Sequence, residues 1–461
     1  GLETLQINPW TRELWLGPVR FGIGPSNPGQ LGELGLKLRV APLLERKVSI
    51  DRLLLRGIDV TVIRDGEDAV GLNGIPLHRF IPPPSAAGTP EESGEGWAAG
   101  VDTLELRDSR LHFRDRNGGE LEVEVDRLAL MGFKTWEPER PGRFELAARL
   151  NDIQLDWSGE ARPFADSITL AIDSRIEQAD VPKLVRFAGP LGLDRQAGTL
   201  DAHLMHSLTL PASGGLDGQA AGTIAIKGVD FGRSEHSTLA LEHAQVNLDV
   251  RYTFSESGDF SLQGEVAAEH GPIRTSFSNT TQVSAAGGRV AMTGLDSRYL
   301  TEGSLDVAGK PSVDVEGIGL SGPVEISVET LLEPLVLLQS LTATQAVSSA
   351  DTGLGGFSGR SLALGASDTN IDRLTADAEN FRLQSIEGRV ELGLTASIDL
   401  SDTDISANQR RLTIERWKGL LDSLRLASGQ GQLEVSATGS SSLAAGTASG
   451  PRGEMGIDEL G

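Results

Sequence analysis

The sequence predicts a mainly β protein. It reads as an elongated, curved antiparallel β-sheet, open as a groove or folded as a repeated β-sandwich, with one or two short helices. Three observations predict this. Apolar and polar residues alternate with period two over most of the chain. Glycine supplies 56 of 461 residues, against an ordinary share of roughly 7%, as many turns and bulges require. Helical spacing of apolar residues is confined to two short stretches.

The alternation is explicit. Leu121, Val123 and Val125 interleave with Glu122, Glu124 and Asp126. Phe144, Leu146, Ala148 and Leu150 follow, then Ile168, Leu170 and Ile172, then Leu200, Ala202 and Leu204. The pattern returns at Val246–Tyr252, Val324–Val328 and Val390–Leu394. Such segments form strands with one dry and one wet face. That is the antiparallel habit, because buried parallel strands read as unbroken apolar runs.

One pattern recurs. Ile50-Asp51-Arg52-Leu53-Leu54-Leu55-Arg56 passes through Gly57 to Ile58, Val60, Val62 and Arg64-Asp65-Gly66. Val101-Asp102-Thr103-Leu104-Glu105-Leu106-Arg107 passes through Asp108 to Leu111, Phe113 and Arg114-Asp115. In both copies the parity of the apolar positions flips midway. A bulge or corner at the flip returns the apolar side chains to one face, since one extra residue reverses a strand's faces. Ile371-Asp372-Arg373-Leu374, followed by Phe381 and Leu383, is a weaker third copy.

These signals divide the chain into an N-terminal β unit (1–81), a flexible loop (82–100), a central β region (101–330), a C-terminal β region (331–427) and a disordered tail (428–461). The loop opens on three consecutive prolines, and the tail holds Ser440-Ser441-Ser442 and Ala444-Ala445-Gly446, compositions that favour disorder. A helix is predicted over 180–193, with Asp180 as cap and Pro182 in its first turn. A second is predicted near 334–345, starting at Pro334.

A net charge of −24 repels phosphate backbones, which argues against nucleic acid and against broad docking on an anionic membrane. The absence of cysteine excludes disulfides, thiol catalysis and cysteine metal sites. No run of about 20 apolar residues is present to span a membrane as a helix. The chain begins at Gly1 and enters a strand-like pattern at once, so an N-terminal anchor or signal is expected outside it.

Motifs for chemistry fail one by one. Gly317-Ile318-Gly319-Leu320-Ser321-Gly322 spells GxGxxG, but a strand follows where a phosphate cradle needs a helix, so a hairpin loop is the better reading. His203 and His206 point to opposite faces of a strand, as do His236 and His243. No HExxH occurs, and Gly356-Phe357-Ser358-Gly359 has Arg360 where a nucleophile elbow needs glycine. Asp402 and Asp404 lack the rest of a calcium loop. Asn279-Thr280-Thr281 is a sequon that matters only in a eukaryotic secretory setting. The six tryptophans are isolated and read as packing residues. No catalytic residue, metal ligand or cofactor is expected, and the chain does not read as an enzyme.

Several stretches resemble the AsmA-like family of Gram-negative envelope proteins, including its TamB-related, bridge-like lipid transport group. Ile7-Asn8-Pro9-Trp10-Thr11 with Leu14, Leu16 and Val19 looks like the family's opening strand. Pro42-Leu43-Leu44, the segment Val48 to Ile63 and Arg64-Asp65-Gly66 look like its strand–strand–turn unit, with Asn73 as the asparagine that follows. Ile176 to Val185, Phe187 and Gly198-Thr199-Leu200-Asp201 resemble its short helix and next strand, and residues 200 to 254 continue in that style. The likeness covers residues 1–270 and beyond them only the texture. It implies a periplasmic protein tethered to the inner membrane by a helix outside this chain, with a long curved sheet and an apolar groove linked to lipid movement and outer-membrane assembly.

The residues and the resemblance point to the same expectation. A sheet with one apolar face must cover it, and here helices are too few. A large exposed apolar face marks a binding site. The expected function is a scaffold that binds or conducts the acyl chains of phospholipid or another lipid, with other envelope proteins as further partners. The groove candidates are Ile58, Val60, Val62, Leu111, Phe113, Val123 and Val125. The rival readings are an assembly factor that captures outer-membrane polypeptides at its sheet edges and an envelope hydrolase.

Overall fold

Strand dominates the protein, as the alternation predicts. The computed structural model describes residues 2–22, 29–64, 70–73, 75–76, 97–115, 120–151, 153–185, 195–233, 237–276, 282–301, 304–321, 324–326, 362–364, 368–386, 389–407, 410–429, 432–450 and 453–457. The chain forms two compact units: residues 1–179 with 201–213, and residues 180–200 with 214–461. The division therefore falls inside the segment 101–330 that the sequence presents as one region.

Unit 1 contains β1 (Leu5–Asn8), β2 (Glu13–Leu16), β3 (Val19–Phe21), β4 (Gly29–Leu31), β5 (Glu33–Arg39), a 3-10 turn (Ala41–Glu45), β6 (Lys47–Arg56) and β7 (Asp59–Arg64). Next come β8 (Val70–Leu72), β9 (Ile75–Pro76), β10 (Ala98–Asp115), β11 (Glu120–Lys134), β12 (Gly142–Leu150), β13 (Ile153–Arg162) and β14 (Ile168–Asp180). The main ladder runs β1–β2–β5–β6–β10–β11–β12–β13–β14.

One feature corrects the antiparallel expectation. β6 and β7 lie end to end along β10 and pair with it in parallel, while the other pairs of the ladder are antiparallel. The register places Leu53 opposite Leu104, Leu55 opposite Leu106, Val60 opposite Leu111 and Val62 opposite Phe113. The 51-residue repeat is thus a parallel pairing of its own two copies. Alternation disguised it because, among the described residues, no helix covers this pair; parallel strands lose their alternation only when both faces are buried.

The parity flip is a line of corners. Gly57 (φ 65°) separates β6 from β7, and Asp108 (φ 48°) sits at the matching point of β10. Opposite Asp108, β11 bulges between Val125 and Arg127. The third copy breaks at Glu379-Asn380, between strands Asp368–Ala378 and Phe381–Ile386, both of which pair with Leu305–Ser321.

Two asparagines close strand ends by one device. Asn73 donates its N–H to the Thr61 carbonyl (2.8 Å) and accepts the Thr61 N–H on its side chain (3.2 Å). Asn151 makes the same pair of bonds to Glu122, at 2.9 and 2.7 Å. Both adopt positive φ, 48° and 46°, a conformation that asparagine tolerates better than most residues.

Unit 2 holds α1 (Val181–Val185) and a run of long strands from Leu216–Arg233 to Gly453–Ile457, paired antiparallel with their neighbours. The helix predicted over 180–193 starts one residue after Asp180, and residues 186–194 lie outside the described residues. So do the helix predicted near 334–345 and residues 82–96 of the predicted loop; the last residues of that loop, Ala98 to Gly100, open β10. The tail is corrected outright: Gln432–Gly450 is a strand paired with Arg410–Gly429. Small residues are no bar to a strand whose ladder bonds come from the backbone. The GxGxxG stretch is no hairpin loop either. Its first five residues finish the strand Leu305–Ser321, with Gly317 at φ 60°.

Candidate functional site

The seven candidates come together in unit 1. Val60, Leu111 and Val123 form one cross-strand row, which continues to Leu150 and Ile153. Val62, Phe113 and Leu121 form the next row. Val125 stands between Ser109 and Ala148 in a third, and Ile58 sits in the corner just before β7. Directly opposed residues share a face, so the rows lie on one side of the sheet.

β12 ties this face to the sheet beyond the corner. It has no bulge of its own. Its even residues alternate regularly, with Leu150 and Ala148 opposing Val123 and Val125 while Leu146 and Phe144 oppose Leu128 and Leu130. The apolar rows on both sides of the corner therefore belong to one continuous face. One of them runs across eight strands, Leu5–Leu16–Leu34–Leu55–Leu106–Leu128–Leu146–Trp157. At about 4.8 Å per strand that row spans roughly 34 Å. The first half of each repeat copy, Leu53, Leu55, Leu104 and Leu106, belongs to this face. Sequence reasoning placed only the second half in the candidate site, although the flip argument applied equally to both.

The face is not sealed. Val60, Val62, Leu111, Phe113, Val123 and Val125 are all half-buried. No large side chain among the described residues is fully buried, and the buried apolar residues are mostly alanine and valine. A sandwich would bury the large side chains of its inner faces.

The reverse face carries an ion lattice. Glu124 takes Arg110 from β10 (3.1 Å) and Arg149 from β12 (2.9 Å). Glu105 takes Arg52 (3.1 Å) and Arg107 (2.9 Å). Burial would raise the Glu105 carboxyl, but hydrogen bonding from Arg52 and the charges of Arg107 and Arg127 hold it below the usual range. Arg110 is held above its ordinary value by the Glu124 hydrogen bond. A cleft at the corner is lined by Asp59, Asp108, Arg110, Glu124 and Arg149 of this lattice together with Ile58 and Val125, two of the seven candidates, so charged and apolar groups meet there.

Ser109 fastens the corner. Its buried hydroxyl accepts the Ile58 N–H (3.2 Å) and donates to the Arg107 carbonyl (2.9 Å). Around the corner the arrangement therefore offers apolar surface on one side and charge neutralised in place on the other. Among the described residues no group of three or more His, Asp or Glu is arranged to hold a metal, and no helix is long and apolar enough to cross a membrane.

No protein-family model, curated protein or solved structure matches this chain.

Proposed function

We propose that unit 1 is a scaffold that holds lipid acyl chains against its apolar face, to bind them or to conduct them. The observation that carries this reading is the continuous face around Val60, Leu111 and Val123, with large side chains left half-exposed. Acyl burial is non-directional and contributes about 0.8 kcal/mol per methylene, so such a site needs no polar residue to define it. In this reading the chain is not an enzyme and carries no cofactor. The periplasmic setting, the inner-membrane tether and contacts with other envelope proteins follow from the resemblance within residues 1–270 and belong to the same proposal. Mass spectrometry of a solvent extract of protein purified without detergent is the direct test. Phospholipid or fatty acid retained through gel filtration is the expected result. A lipid-free extract, together with no uptake of a fluorescent fatty acid, would overturn the reading.

A further inference from the structure

The long apolar row of unit 1 has a companion. Two residues along the same strands runs Leu14–Leu36–Leu53–Leu104–Leu130, in continuous register. On five consecutive strands, β2, β5, β6, β10 and β11, both rows are therefore leucine, and all of these side chains are half-buried. The strip has borders. The pairing of β6, β10 and β11 skips Asp51, Asp102 and Gly132 on one side, and Gly57, Asp108 and Asp126 on the other. Beyond the borders the face changes in kind, to Val60–Leu111–Val123 past Asp108 and to Leu38–Ile50–Val101–Phe133 past Asp102. The second of these rows stays on the same face, because a Cβ on Gly142, two residues from Phe144 along β12, would stand 2.7 Å from the Phe133 ring.

We propose that this leucine strip holds one acyl chain laid across the strands, in the furrow between its two rows. The assignment rests on the acyl-binding reading of the face and adds to it the direction of the chain and the residues beneath it. Composition supports it first. Strands favour β-branched and aromatic side chains, so strand formation does not call for leucine at every position of two rows. Leucine turns freely at χ1 where valine and isoleucine are stiff, and so can follow a chain that has no fixed shape. Dimensions agree. Rows two residues apart on a strand stand about 6.6 Å apart, and five strands at about 4.8 Å span roughly 19 Å. Each leaflet of a bilayer takes about half of a hydrocarbon core of about 30 Å, so the tail of a membrane lipid fits along the strip. A peptide strand does not fit, because it binds the free backbone groups of a sheet edge, and all five strands are paired on both sides.

Titration of the whole chain with a fluorescent fatty acid tests the direction. Leu34 and Leu128 stand in one row, three strands and about 14 Å apart, so a crosswise chain touches both and a lengthwise chain does not. Leu34→Thr and Leu128→Thr are each expected to weaken binding about fivefold, and the double variant about 25-fold at unchanged stoichiometry. Threonine favours strands, and circular dichroism verifies the fold. If a threonine variant fails to fold, Leu34→Val/Leu128→Val replaces the double variant, with an expected loss of about threefold or more. Leu420→Thr, at a residue 57% exposed in unit 2, is expected to bind like the parent. Fatty acid bound with the parent's affinity by the double variant overturns the proposal and leaves the acyl-binding reading standing. So does a double variant that loses sites instead of affinity, because separate lengthwise chains would then lie on separate strands. A parent that takes up no fatty acid ends the acyl-binding reading and this assignment with it, and leaves the strip to an apolar surface of a protein partner.

Discussion

Val60 and Leu111 stand opposite one another across the parallel pair of β7 and β10, and Val123 faces Leu111 from β11. Two residues 51 positions apart are neighbours because two copies of one sequence pattern lie side by side in register. Each copy turns its corner at the same step, Gly57 in one and Asp108 in the other. Had only one strand bulged, the rows beyond it would have fallen on opposite faces.

That register is testable by crosslinking. The chain has no cysteine, so Val60→Cys with Leu111→Cys introduces one pair. Adjacent strands lie about 4.8 Å apart, inside the Cα range that a disulfide bridges. Oxidation is expected to close the bond, seen as a mobility shift that dithiothreitol reverses. Val60→Cys with Val125→Cys, two strands and one row apart, is expected to remain open. The reverse outcome would refute the register.

Ser109 offers a stability test of the corner. Ser109→Ala leaves the Ile58 N–H without its partner, at a cost of about 1–3 kcal/mol, while the Arg107 carbonyl keeps the Gly57 N–H (3.1 Å). For a unit of this size the melting temperature is expected to fall by a few degrees, on the order of 2–4 °C per kcal/mol. Ser109→Thr keeps the hydroxyl and is expected to recover most of the loss. An alanine variant that melts with the parent would mean that water satisfies the Ile58 N–H.

Much of this was legible in the sequence, and particular residues show where legibility ended. Alternation at Leu121–Asp126 announced β11, and the flip between Leu106 and Leu111 announced a corner near Asp108. Strand direction was not legible, because period two is the same whichever way a neighbour runs. The tail misled because Ser440-Ser441-Ser442 carries few apolar groups, while its strand is specified by pairing with Lys418, Gly419 and Leu420. The apolar face was half-legible: Val60 and Leu111 were found, and Leu5, Leu16 and Leu34 were missed. Their place is set by ladder register across β1, β2 and β5, which no single segment encodes.

Acid is expected to loosen unit 2. Arg382 donates two hydrogen bonds to Asp306, at 3.1 and 2.8 Å, and Arg373 pairs with Asp314 in the same way. These bonds hold both carboxyls below their ordinary value of 3.8. A carboxyl whose pKa is lower folded than unfolded stabilises the fold above its unfolded pKa, and that contribution is lost as pH falls through the folded pKa. Stability should therefore be flat near neutrality and decline from about pH 4 downward. Because both pairs are largely exposed, the effect is small and screened by salt. Asp306→Asn/Asp314→Asn is expected to flatten the decline in a pH series of urea melts. An unaltered slope would mean that other carboxylates set it.

Val60→Asp separates an open face from a closed core. A carboxylate buried without a partner costs several kcal/mol, so a sealed sandwich would misfold. Val60 is half-buried, as are its row partners Leu111 and Val123. The new carboxylate can therefore stay partly hydrated while placing a charge midway along the proposed acyl path. The expected variant is soluble, has a near-native circular dichroism spectrum, and retains clearly less lipid through gel filtration than the parent. Thr61→Asp is the wrong control, because Thr61 is buried and bonded to Asn73. Arg110→Asp on the ion-lattice face is the informative one: it breaks the contact with Glu124 and is expected to lower stability modestly without changing lipid content. If Val60→Asp is insoluble, the apolar face is closed by protein. If it is soluble with undiminished lipid, acyl chains do not lie over Val60.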